Sequence, residues 1–185
     1  IAATLTTVFM GPRSDRIGKR TLFMCGGYIL WGISIFSFTL LRVDIIEKIF
    51  PMTVSAASLG VTLTIVMDCV MTFFGSTAND AAFNAWLTDS TDDSNRGAAE
   101  GINAMMPLVA ILVVFGGFMF FDPSKPSSWT LIYTIIGAVV ILIGILGIFL
   151  IKDPDIQPTK TGYFYNIFYG FRPSTIKKNV PLYLI

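Results

Sequence analysis

Long apolar runs without charge set the first limit on what this chain can become. Thr21–Leu41 and Trp129–Ile151 contain no Asp, Glu, Lys or Arg. Each is about the 20 residues that a helix needs to cross the hydrocarbon core of a bilayer. Val109–Phe121 belongs to a third run, which can begin near Ala98, and Leu59–Trp86 is a fourth, interrupted by Asp68 and Asp80. Ile1–Met10 looks like the tail of a further span and Pro181–Ile185 like the head of another. With Ile at position 1, the chain reads as a fragment of a longer protein. The expected fold class is all-α integral membrane, a multi-pass helical bundle.

Composition agrees. Charged residues make up 14% of the chain and hydrophobic ones 54%, with a mean hydropathy of +0.70. Soluble domains carry about 25% charged residues, so this chain could not cover a water-facing surface. The net charge of +1 gives no reason to expect a nucleic-acid partner. The absence of His removes the commonest general base and metal ligand. Cys25 and Cys69 lie in apolar runs without CxxC spacing, which argues against a zinc site or a disulfide framework. No GxxxxGK[ST] phosphate loop occurs. Neither catalytic residues, a metal nor a cofactor is expected, and the chain does not read as an enzyme.

The connections between spans fall into two alternating sets. Gly11–Arg20, Thr88–Gly97 and the segment after Ile151 hold ten of the 13 basic residues, and Arg42, Lys48 and Lys125 are the other three. The richer set is expected on the cytoplasmic side, in what is expected to be the plasma membrane. Within 152–180, Phe164, Ile167, Phe168 and Phe171 recur at helical spacing. They predict either an interfacial helix or a linker with aromatics resting on lipid.

Gly11-Pro12-Arg13-Ser14-Asp15-Arg16-Ile17-Gly18-Lys19-Arg20 is the densest motif. Read physically, it is a tight turn between helices. Gly11 and Gly18 permit positive φ or close approach, and Asp15 is placed to accept from backbone N–H groups of the next helix. The loop resembles the one between helices two and three of the major facilitator superfamily, with Gly11, Asp15, Arg16, Gly18, Lys19 and Arg20 matching and Arg13 where Leu is frequent. The resemblance covers the whole chain. It implies a major-facilitator-type bundle running from the end of helix 2 to the start of helix 7. Residues 1–151 would belong to the N-terminal bundle, 152–180 to the central cytoplasmic loop and 181–185 to the start of helix 7. It also implies a small-molecule solute in a lipid bilayer, bound near the midplane between two rocking halves. Asp15 and Arg16 would join an inner-gate charge network, with Asp89 and Arg96 as partners. The alternative is a loop that only sets topology.

Asp68, Asn79, Asp80 and Asn84 interrupt the Leu59–Trp86 run. A charge at the centre of a spanning helix costs at least ~2.5 kcal/mol, so such residues are expected to face a cavity or a partner. On a helix turning ~100° per residue Asp68 and Asn79 nearly eclipse, while Asp68 and Asp80 lie about 18 Å apart along the axis and cannot form one carboxylate pair. Asn103, before Pro107 on the following span, is a second cavity candidate. Asn79–Asp89 followed by Arg96 resembles the glycoside–pentoside–hexuronide:cation symporters, with Asp80 and Phe83 matching and Ala82 in place of Pro. That resemblance implies solute transport coupled to H⁺ or Na⁺, with Asp80 serving the sugar and cation site. The residue-level alternatives are a snorkelling or capping carboxylate for Asp80 and an outer-vestibule residue for Asp68. A proton-coupled exporter and a non-transporting sensor or scaffold are the competing functions. The oligomeric state is not legible.

Overall fold

The computed structural model describes residues 1–51, 55–154, 167–168 and 172–183. These are helical, with no strand among them. Helix α1 is Ala2–Ile17, and α2 is Arg20–Ser37, extended by a 3₁₀ turn at Phe38–Leu40. A short α3, Val43–Ile49, lies within the connection that the sequence leaves as a loop. The next long helix is composite: α4 (Ala56–Gly75), a π-helical stretch at Ser76–Phe83, then α5 (Asn84–Asp89). It is followed by α6 (Arg96–Phe118), α7 (Pro126–Leu150) and α8 (Pro173–Tyr183). Among the described residues, four helices are long and apolar enough to cross a membrane: Arg20–Leu40, Ala57–Asp89, Arg96–Phe118 and Pro126–Leu150. All four were expected from the apolar runs.

Three boundaries differ from the sequence reading. The helix expected to end near Met10 continues to Ile17 with Pro12 inside it, so the turn shrinks to Gly18 and Lys19. Among the described residues only Gly18 takes positive φ, at 69°, and its N–H donates to the Ser14 carbonyl. This is the αL ending that glycine permits at little cost. Gly11 is helical and meets nothing within 4 Å where a Cβ would stand. The helix expected to begin near Pro181 begins at Pro173. Of the aromatic face at 164–171, only residues 167–168 are described; Phe164 and Phe171 lie outside the described residues.

Packing is densest between α2 and α7. Small residues allow it, as in membrane helix pairs generally. A Cβ on Gly32 would stand 2.8 Å from the Gly137 carbonyl oxygen, and one on Gly144 would stand 3.0 Å from the Cys25 carbonyl oxygen. A Cβ on Gly147 would meet Cys25 Sγ at 2.7 Å. On the other side of α2, Gly27 accepts Ala78 of the π stretch, and Trp31 lies over Gly75. Gly26, Gly116 and Gly117 face open space. α6 is different. None of its residues is buried, and its C-terminal half flanks α7 across an apolar cavity of about 190 Å³ that includes Val113, Phe118, Ile132 and Ile135.

Candidate functional site

The two loop sets separate to opposite ends of the bundle. At one end, the turn after α1, the end of α5 and the segment after α7 meet around Arg20. Its side chain is 8% exposed, pairs with Asp15, and donates through Nε to Asp89 Oδ2 at 3.0 Å. Nη1 also donates to Ser14 Oγ at 3.0 Å. One guanidinium, with its fixed fork of donors, therefore joins the ends of three helices. Two further bonds close the cluster. Asp153 Oδ1 accepts from the Thr21 N–H at 2.6 Å and from the Thr21 hydroxyl at 2.7 Å, and the Trp86 indole N–H donates to the Lys152 carbonyl at 3.1 Å.

The sequence-expected roles are redistributed here. The carboxylate that serves the start of α2 is Asp153, not Asp15, because Asp15 is taken by Arg20. Asp89 belongs to the network through Arg20. Arg96 does not join it. Arg96 Nη2 donates to the Thr88 and Thr91 carbonyls, and Nε donates to Thr91 Oγ1, so it closes its own turn. Arg16 and Lys19 are exposed. In that same turn Asp92 accepts from the Ser94 hydroxyl and the N–H groups of Ser94 and Asn95. The Ser94 hydroxyl, more than any other neighbour, holds the Asp92 carboxyl below its ordinary value.

The second group lies on the π-helical stretch. A π turn closes i→i+5 bonds and often marks functional sites. Packing supplies a reason for it here. Ala78 and Ala82 are fully buried, Ala78 sits in the Gly27 notch, and the Thr77 hydroxyl donates to the Phe73 carbonyl at 2.7 Å. Asn79 and Asp80, beside them in sequence, are exposed on this chain. The π stretch departs from the regular α-helix on which the near-eclipse of Asp68 with Asn79 was reckoned. Asp68 is exposed and remote from the cluster.

Asn79, Asp80, Asn84 and Asn103 are brought together, although loosely. Tyr28 Oη donates to Asn79 Oδ1 at 3.3 Å, and Asn79 Nδ2 donates to Asp80 Oδ1 at 3.2 Å. Asn84 Nδ2 donates to the Asp80 carbonyl at 3.3 Å, and Asn103 Nδ2 to Asn84 Oδ1 at 3.5 Å. A cavity of about 240 Å³ opens beside Asn79 and Asp80, walled by Trp31, Thr72 and Ser76. Tyr28 and Trp31 were missed in the sequence because they lie in a run free of charge. Their spacing of three and the polar tips of their rings were the available signal.

This arrangement places a basic, ion-paired helix hairpin at one end of a spanning bundle, with amides and a carboxylate further along a spanning helix. The family model of the Major Facilitator Superfamily matches residues 1–183. The chain belongs to the major facilitator superfamily. It is thus part of a multi-pass integral membrane protein of a transporter family. Neither a curated protein nor a solved structure matches it.

Proposed function

We propose that the protein is a secondary active transporter of the plasma membrane that moves a small polar solute, of the sugar or glycoside class, together with H⁺ or Na⁺. The observation that carries the coupling is the chain of hydrogen bonds from the Tyr28 hydroxyl to Asn79 Oδ1 and from Asn79 Nδ2 to the Asp80 carboxylate, beside a cavity that Asn79 and Asp80 line. Carboxylate and amide oxygens suit a hard cation, and a proton or Na⁺ offsets the cost of holding a carboxylate within the bilayer. The matches at Asp80 and Phe83 favour the glycoside–pentoside–hexuronide:cation branch. The Asp15–Arg20–Asp89 cluster serves as the inner gate: it joins α1, α2 and α5 at one point, so opening that end must break charge-assisted bonds. The basic end faces the cytoplasm.

Ion-driven uptake by the full-length protein, with Na⁺ and pH varied separately, tests the coupling. Asp80→Asn keeps the shape and removes the charge. It should abolish accumulation against a gradient and spare exchange, with Asp68→Asn having the smaller effect. Unchanged ion dependence in Asp80→Asn would reduce Asp80 to a solvated helix carboxylate. Orientation is tested by a cysteine at position 92, which should resist impermeant reagents added outside intact cells. The shared hairpin motif also fits a proton-coupled exporter, which would show efflux in the same assay.

A further inference from the structure

At the end of the bundle opposite Arg20, the chain lines a half-open cavity of about 480 Å³. The 3₁₀ turn supplies Phe38, the start of α3 supplies Arg42 and Asp44, α4 supplies Thr64, and α7 supplies Trp129 and Tyr133. The volume lies within the roughly 300–1,000 Å³ of ordinary small-molecule sites. Neither the transport cluster on the π stretch nor the Arg20 network contributes to it.

Two features of its wall point to the ligand. The first is aromatic. Phe38 and Tyr133 stack at 5.4 Å between ring centroids, and Trp129 and Tyr133 stand 6.3 Å apart. The Trp129 indole is fixed by donating to the Pro123 carbonyl at 2.9 Å. Ring faces attract ammonium groups, quaternary ones included. The second is an ion pair with both charges accessible. Arg42 Nε and Nη2 donate to the two Asp44 oxygens at 2.9 and 3.1 Å, with the side chains 37% and 54% exposed. Arg42 Nη1 has no partner among the described residues.

We propose that this cavity binds a small zwitterion, its anionic end on Arg42 and its ammonium end between Asp44 and the aromatic wall. A lone anion must compete with Asp44 for Arg42, and a lone cation with Arg42 for Asp44. A molecule that carries both charges exchanges one ion pair for two and leaves no wall charge unmatched. The same chemistry is offered by a dissolved zwitterion and by the headgroup of a zwitterionic phospholipid. Trp and Tyr rings gather at headgroup depth, so both sources have access.

The test is calorimetric titration of phosphocholine into the full-length protein in nanodiscs of phosphatidylglycerol. Saturable binding is expected. It should weaken at least tenfold in Arg42→Gln and in Trp129→Leu, and persist in Trp129→Phe, which controls for folding. Choline and inorganic phosphate, offered separately, should each bind at least tenfold more weakly than phosphocholine. No saturable binding, wild-type affinity in Arg42→Gln or Trp129→Leu, or equal affinity for either half of the probe would overturn the proposal. Repeating the titration in phosphatidylcholine discs separates the sources: lost binding identifies the lipid headgroup as occupant, and retained binding identifies a dissolved zwitterion.

Discussion

Two arginines, one at the start of α2 and one at the start of α3, make the same kind of bond in opposite surroundings. Arg20 is buried, reaches carboxylates five and 69 residues away, and ties α1, α2 and α5 together. Arg42 is half-exposed, and its partner Asp44 is two residues away on the same turn. Arg20 therefore constrains the tertiary arrangement, whereas Arg42 constrains only the start of α3. Burial decides the energy as well. Removing one partner of a buried pair leaves an uncompensated charge, while an exposed pair exchanges its partner for water.

The largest expected effect breaks the comparison at its strong end. Arg20→Met leaves Asp15 and Asp89 facing each other without a cation. It should lower the unfolding free energy by about 3 kcal/mol, at the low end for a broken buried pair because both carboxylates keep some contact with water. Thermal unfolding of the full-length protein in detergent measures this. A melting temperature equal to wild type would mean that the Arg20 cluster is no tighter than a surface pair.

Next come the carboxylates of that cluster. Asp15→Asn and Asp89→Asn keep shape and hydrogen-bonding capacity but remove charge, so each should cut uptake strongly while well-folded protein still reaches the membrane. Normal uptake in either variant would detach the cluster from gating and leave it a structural tie.

Asp153→Ala removes the side chain that accepts from both donors of Thr21. Loss of a helix cap costs about 0.5–2 kcal/mol. The loss should appear as faster amide exchange in the first turn of α2 and nowhere in α3. Exchange that is unchanged there would show that water replaces Asp153 without cost.

The smallest effect belongs to the exposed carboxylates. Hydrogen bonding to Arg42 holds the Asp44 carboxyl below its ordinary value, as the Ser94 hydroxyl does for Asp92. A depressed carboxyl adds stability that is complete above its unfolded pKa and is lost as pH falls through its lower folded value. Asp44→Asn and Asp92→Asn should thus lower the melting temperature slightly at pH 7, leave it unchanged at acid pH below the folded values, and so flatten the acid limb of the profile. A large drop at pH 7 in Asp44→Asn would erase the distinction between the two arginines.

The spans were legible in the sequence because lipid imposes a one-dimensional rule. About 20 apolar residues in a row must become a helix with its backbone bonds satisfied internally, and Thr21–Leu41 and Trp129–Ile151 leave no other solution. The separation of loops into two ends follows from the same alternation. The hairpin Gly11–Arg20 was legible as a motif, and Gly18 as its turn, because positive φ is a local property of glycine. Contacts that cross the bundle were not legible. That Arg20 rather than Arg16 or Arg96 holds Asp89, and that Asp153 rather than Asp15 serves Thr21, depends on which side chains the α2–α7 glycine packing carries to the same point. The π stretch is equally a product of packing. Burying Ala78 in the Gly27 notch sets a register that no periodicity in 59–86 announces. Local chemistry and hydropathy act along the chain and can be read from it. Steric fit between helices acts across the chain, so only the tertiary structure decides which of several equivalent charges meet.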